Sequence, residues 1–180
     1  MSMLQIFHER APEQPLNQSS DAEEMAQLLS GVGVRFEQWS ASEPVVAGAS
    51  QADVLAAYAS DIERLMQQGG YQTVDVISID ASHPDKEALR QKFLSEHTHS
   101  EDEVRFFVAG RGLFSLHIGD RIYEVLCERG DLLGVPADTR HWFDLGGAPE
   151  LVAIRFFNNP EGWVANYTGA DIAEHFSRLD

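Results

Sequence analysis

The chain has 180 residues, 43% of them hydrophobic, 23% charged and 9% aromatic, which suits one globular domain with a real core and leaves no room for a second. With 29 acidic residues against 13 basic ones the net charge is −16, which repels phosphate backbones and anionic headgroups, so neither nucleic acid nor a membrane surface is expected as a partner. The single cysteine, Cys127, cannot form an internal disulfide, no apolar run approaches the length of a membrane span, and the opening MSMLQIFHERAPEQPL lacks a basic region followed by an apolar run, so a cytoplasmic location is expected.

In chain order, Ser20 and Glu23 form a candidate capping box and Gly31 closes the apolar positions Met25, Leu28 and Leu29, which predicts a helix near residues 20–30. Val34 to Trp39 reads as a strand. From Ser50, the residues Val54, Leu55, Tyr58, Ile62, Leu65 and Met66 recur at helical spacing until Gly69-Gly70, a face suited to core packing. Gln72 to Ile79 alternates as a strand does, and His83-Pro84 opens a short helical stretch through Lys86, Leu89 and Phe93.

After residue 96 the texture changes to short strands punctuated by turns: Val104–Ala109, Leu113–Ile118, Arg121–Leu126, Leu132–Val135, His141–Leu145 and Leu151–Phe157, separated by GRG, GD, ERGD, PADTR and GGAPE. Strands at roughly ten-residue spacing predict an antiparallel barrel or sandwich. Ala170–Leu179 reads as a last amphipathic helix. One domain spanning 1–180 is expected, with a helix-rich part at 1–95, a barrel core at about 96–158 and a tail at 159–180.

The chemistry-bearing stretch is EHTHSEDEVRFFVAGRG, Glu96 to Gly112. Side chains of an extended segment alternate faces, so His97, His99, Glu103, Arg105 and Phe107, all odd-numbered, share one side while Val104, Phe106 and Val108 pack on the other. His141 opens HWFDL downstream, with Phe143 and Leu145 on its side. Three imidazoles and a carboxylate suit iron, nickel, manganese or zinc, and a six-coordinate ion would keep two positions open. By spacing alone, the run Glu96, Glu101, Asp102, Glu103 reads equally as a solvated acidic loop. His8, His83, His117 and His175 read as ordinary core or surface histidines, and Cys127 as structural.

HTHSEDEVRFFVAG fits H-x-H-x3-E-x6-G, and GDLLGVPADTRHWFD fits G-x5-P-x-D-x2-H closing on Asp144; together they resemble the two motifs of the cupins. Gln91 stands where the first motif opens on glycine, and Asp138 stands at the second motif's internal glycine, which places Asp138 in a turn conformation that glycine takes more easily. Within the cupins, HTHSEDEVRFFVAGRGLFSLHI and VPADTRHWFDLG resemble the acireductone dioxygenases of methionine salvage, and the likeness extends over nearly the whole chain.

The resemblance implies a mainly β fold with some α: a cupin-type antiparallel β-barrel (double-stranded β-helix or jelly roll) with N-terminal helices and a short C-terminal helix. It implies His97, His99, Glu103 and His141 as ligands of one Fe2+ or Ni2+ ion, with an acireductone and O2 as substrates. A monomer is the expected unit. The same ligands would also serve another cupin dioxygenase or isomerase, or a non-catalytic cupin binding module. Three imidazoles, a carboxylate and a divalent ion sum to +1, and a dianionic acireductone would bring the site to −1. Arg105 has the parity to offset that charge and is the candidate catalytic and substrate-binding residue, unless it pairs with a cross-strand acid. Phe93, Phe143 and Trp163 are candidates for an apolar wall around the substrate's tail, each equally suited to plain core packing.

Overall fold

A computed structural model describes residues 1–161 and 163–180. In chain order the elements are strands β1 (Met3–His8) and β2 (Asn17–Ser19), helix α1 (Ala22–Ser30), β3 (Arg35–Gln38), helices α2 (Gln51–Ala57) and α3 (Ala59–Gly69), β4 (Thr73–Ile79), α4 (Lys86–Leu94), β5 (His97–Thr98), β6 (Glu103–Ile118), β7 (Arg121–Glu128), β8 (Asp131–Val135), β9 (Arg140–Asp144), β10 (Leu151–Phe157) and β11 (Asn166–Tyr167), followed by a 3-10 turn at Ile172–His175. All strand pairings are antiparallel. One face runs β11-β5-β9-β6-β7-β1-β2, and the other is built from β4-β10-β6 and β6-β8-β3. Among the described residues no helix is long and apolar enough to cross a membrane.

The two faces are joined by β6, in which the sequence predicts two strands with GRG as the turn. The structure replaces that turn with a kink in a continuous strand of 16 residues. Its first part, from Glu103, pairs with β10 and β8, and its second, to Ile118, pairs with β7 and β9. A register shift at Val152/Ala153 makes Val108 an extra residue in β6, and Gly110 follows at φ +66. A Cβ on Gly110 would lie 1.7 Å from the Glu150 carbonyl oxygen, so this corner of the barrel needs a residue without one.

The interior holds Phe107, Phe114, Leu116, Leu133 and Phe143, with Met25 and Leu29 of α1 and Leu4 and Ile6 of β1. On the outer side, Val104, Phe106 and Val108 are covered by Val54, Tyr58 and Leu65 of α2 and α3, the helical face that the spacing predicts as core packing. That helix is divided at Tyr58 (φ −109, ψ 23), whose hydroxyl donates to the Glu43 carbonyl at 2.6 Å. The cap of α1 sits one residue later than the sequence suggests: Asp21 accepts from the Glu24 amide at 2.9 Å, and Ser19 Oγ donates to the Glu24 carboxylate.

Two elements depart further from expectation. β1, hidden in a segment read only for its lack of a leader pattern, pairs with β7 along Met3↔Leu126 to His8↔Arg121 and buries Leu4 and Ile6. The C-terminal helix is reduced to the 3-10 turn. Ala173 and Phe176 are buried with Phe7, Ile122 and Trp142, but the amides of Ser177 and Leu179 donate to the Glu124 and Asp144 carboxylates instead of to helical carbonyls.

Candidate metal centre

His97 opens β5 directly after α4, and its cross-strand partner is His141 of β9. In antiparallel pairs, directly opposed side chains stand close together. The two rings lie 4.5 Å apart by centroid, His97 and His99 5.1 Å, and His99 and His141 5.0 Å. One nitrogen from each of the three lies within 4.8 Å of the others. The loop carrying the second motif is tied to the first: the Asp138 amide donates to the His99 carbonyl at 2.8 Å. Asp138 has φ +61, the only positive φ outside glycine among the described residues, as its place at the motif's glycine predicts.

Which nitrogen faces inward is settled by the backbone. His97 Nδ1–H donates to the Ser95 carbonyl at 2.7 Å, His99 Nδ1–H to the Val164 carbonyl at 2.9 Å, and His141 Nδ1–H to the Thr139 carbonyl at 2.8 Å. Carbonyls only accept, so each Nδ1 carries the proton and each Nε2 keeps its lone pair in the neutral ring. Burial, with His97 beside it, pushes His141 down to about 3, and burial lowers His97 as well. His97 and His141 are therefore neutral near pH 7, the state a metal needs.

Glu103, at the start of β6, faces the same space. Its Oε2 lies 3.3 Å from His99 Nε2, and its Oε1 accepts from Arg105 Nε at 2.5 Å. Burial would raise this carboxyl, but Arg105 and then His99 and His141 outweigh it and hold it at about 2, so it is ionised. Among the described residues, Glu103 Oε2 and His141 Nε2 are buried without a hydrogen-bond partner. Unprotonated acceptors facing one another in a dry interior are costly unless a cation joins them, so the donor set fits a divalent metal ion.

Arg105 is 1% exposed, and its partner is Glu103 two residues away on the same strand, not a cross-strand acid. Its guanidinium carbon sits 4.6 Å from the Phe143 ring centre, 4.8 Å from Phe114 and 5.7 Å from Phe93. Nη1 has no partner among the described residues. Phe93 and Phe143 therefore stand around the guanidinium, and Phe93 meets Phe143 edge-on at 6.3 Å. Trp163, expected in the same wall, is instead 47% exposed with Lys92 Nζ 5.5 Å from its ring; its neighbour Val164 reaches the site through the backbone carbonyl.

Phe114, which stacks on His141 at 5.6 Å, escapes the sequence reading. Before the kink the inward residues of β6 are odd-numbered (Glu103, Arg105, Phe107), and after it they are even (Phe114, Leu116). An extra residue in a strand reverses its alternation, and the only signal for it was Gly110. Tyr167, 5.7 Å from His97, and Phe157, 6.3 Å from His99, complete the aromatic surroundings and were equally unforeseen. A surface cleft of about 790 Å³ between Gly110, Arg129, Gly147 and Asp180 contains none of these groups.

A model of the ARD/ARD' family matches residues 3–165. The acireductone dioxygenase of Pseudomonas paraeruginosa is 62% identical over 180 residues, covering 100% of this chain and 99% of the relative; that of a Synechococcus strain is 57% identical, covering 99% of each. Among solved structures, the acireductone dioxygenase of Bacillus anthracis, with a cadmium ion in its active centre, superposes with a TM-score of 0.80 at 32% identity, covering 93% of this chain and 98% of that one. With a buried cluster of three imidazoles and a carboxylate in a cupin barrel, and relatives aligned from end to end, the chain belongs to the ARD/ARD' family.

Proposed function

We propose that the chain is an acireductone dioxygenase of methionine salvage, which cleaves 1,2-dihydroxy-3-keto-5-methylthiopentene with O2. The observation that carries this reading is the cluster of inward acceptor atoms, the imidazole Nε2 atoms and Glu103 Oε2, beside an arginine whose Nη1 has no partner among the described residues. His97, His99, Glu103 and His141 would hold one Fe2+ or Ni2+ ion. When bound, the ion supplies Lewis acidity and sites for substrate oxygens. Iron would direct the reaction to 2-keto-4-methylthiobutyrate and formate, and nickel to methylthiopropionate, formate and carbon monoxide. Imidazole and carboxylate accept either ion, so the donor set supports both outcomes.

The protein's own groups have defined tasks. The carbonyls of Ser95, Val164 and Thr139 fix the three ring tautomers. Arg105 offsets Glu103 through Nε, and its free Nη1 supplies a charged donor to an enediolate oxygen. Phe93, Phe114 and Phe143 exclude water around that contact, which strengthens it and protects the electron-rich carbon skeleton from side reactions. The protein would act in the cytoplasm as a monomer, without nucleic acid or membrane partners, in keeping with its charge of −16.

The test is to supply synthetic acireductone to protein loaded with iron or with nickel, following oxygen uptake and identifying the products by chromatography. Substrate-dependent uptake with formate as a product of both forms is expected. No uptake by fully metallated protein would defeat the proposal.

A further inference from the structure

Two of the three imidazoles depend on a short surface segment, residues 164–168. The Val164 carbonyl fixes the His99 tautomer, and Tyr167 lies opposite His97 in the ladder with its ring 5.7 Å away. Tyr167 also donates its hydroxyl to the Lys92 carbonyl at the end of α4. Yet apolar burial does little to hold this segment, because Val164 is 43% and Tyr167 53% exposed and the ladder to β5 is two residues long. Something else must keep it seated against the centre.

A line of polar contacts centred on buried Glu96 and His117 does so. The Thr168 amide donates to the Glu96 carbonyl at 3.1 Å, and Thr168 Oγ1 donates to Glu96 Oε1 at 2.8 Å. Glu96, 2% exposed, presents its other oxygen to His117 Nδ1 at 2.6 Å, and His117 Nε2 lies 2.9 Å from Glu9 Oε2. The Glu9 amide in turn donates to the Asp120 carbonyl at 2.8 Å. His117 is 6% exposed and sits on β6 one residue beyond Leu116, the cross-strand partner of His141. The line thus runs from the barrel's end through β6 to the residue just before His97, and from there to the surface segment. Contacts to a buried carboxylate are charge-assisted, and leaving one of its oxygens unpaired is costly.

We propose that Thr168, Glu96 and His117 form a latch that seats residues 164–168 and thereby positions the imidazoles of His97 and His99. These are positioning residues, acting through Val164 and Tyr167. The inference rests on the metal-centre reading above for its effect on a bound ion, and on geometry alone for its effect on the segment.

Thr168→Val removes the hydroxyl link to Glu96, and with it the acceptor of the Ala170 amide at 3.3 Å, but leaves Glu96, His117 and Glu9 joined, so it spares the rest of the line. Thr168→Ser restores the hydroxyl without the methyl group. In the full-length metal-free protein, hydrogen exchange of the amides of residues 166–168 should quicken in Thr168→Val by about tenfold, with Thr168→Ser near wild type. In nickel-loaded protein, transfer of Ni2+ to excess EDTA should quicken by roughly ten- to a hundred-fold, as for other losses of groups that orient metal-binding histidines, while Tm falls by no more than about 4 °C. Unchanged segment exchange in Thr168→Val overturns the latch. So does a Thr168→Ser variant as defective as Thr168→Val, which would assign the role to methyl packing. If wild-type protein takes up no nickel, the metal-centre reading falls, while the exchange measurement still decides the latch.

Discussion

Replacing Arg105 with methionine tests the centre's electrostatics most directly. The change keeps an apolar stem among Phe93, Phe114 and Phe143 but removes the partner of Glu103 Oε1. In the metal-free protein Glu103 is held at about 2 against an ordinary 4.5, with Arg105 the foremost group opposing burial. A folded-state value below the unfolded one means stability that is present above pH 4.5 and lost as the pH falls toward 2. At about 1.4 kcal/mol per unit this amounts to on the order of 3 kcal/mol, in line with the roughly 3–5 kcal/mol lost when one partner of a buried ion pair is removed. For a chain of this size, Tm of metal-free Arg105→Met should therefore drop by roughly 6–20 °C.

Loading the metal supplies Glu103 with another positive charge, so the drop should shrink and metal content should stay near wild type. Catalysis should not recover, because the free Nη1 donor is gone; a loss of about 2–5 kcal/mol corresponds to tens-fold to thousands-fold in kcat/KM. Lysine should rescue only in part, since its point charge cannot serve Glu103 and a substrate oxygen together. Differential scanning calorimetry of metal-free and loaded samples, with oxygen uptake on the loaded ones, reads all of this. An unchanged Tm in the metal-free variant refutes the charge argument, and wild-type kcat/KM refutes the substrate role.

Other outcomes follow from the same geometry. His97→Ala and His141→Ala should each lose most bound metal by elemental analysis, and full stoichiometry in both would remove them from the ligand set. His97 and His141 are held below the usual histidine value, His141 at about 3, so the unfolded chain binds protons that the folded one does not. Stability of the metal-free protein should thus be full above pH 6.5 and fall as the pH drops below it, by up to about 1.4 kcal/mol per unit for each histidine; a Tm flat from pH 7.5 to 5 would contradict this. Cys127 is fully buried and burial pushes its thiol up, so Cys127→Ala should keep turnover within a few-fold while losing about 1 kcal/mol to the small cavity. Near-complete loss of turnover with normal metal content would instead give the thiol a chemical role.

Much of the centre was legible in the chain because its parts are local. Alternation places Glu103, Arg105 and Phe107 on one face of a strand as soon as the strand is recognised, and a proline-bounded turn before His141 delivers the third imidazole. The turn glycines and the helical spacing of Val54 to Met66 likewise announce themselves within a few residues. What the sequence left open depends on residues far apart in the chain. The exclusion at Gly110 comes from Glu150, and only with that contact does the alternation of β6 reverse and bring Phe114 against His141. Arg105 could have met any acid; its partner is Glu103 because three rings close off the other directions. The β1 strand is recognisable through its pairing with β7, and the C-terminal helix gives way because Glu124 and Asp144 take its amides. Residue types and spacing thus determined which groups could bind a metal. The tertiary structure decided which nitrogen each ring presents, because the carbonyls of Ser95, Thr139 and Val164 become neighbours of the imidazoles only when the barrel closes.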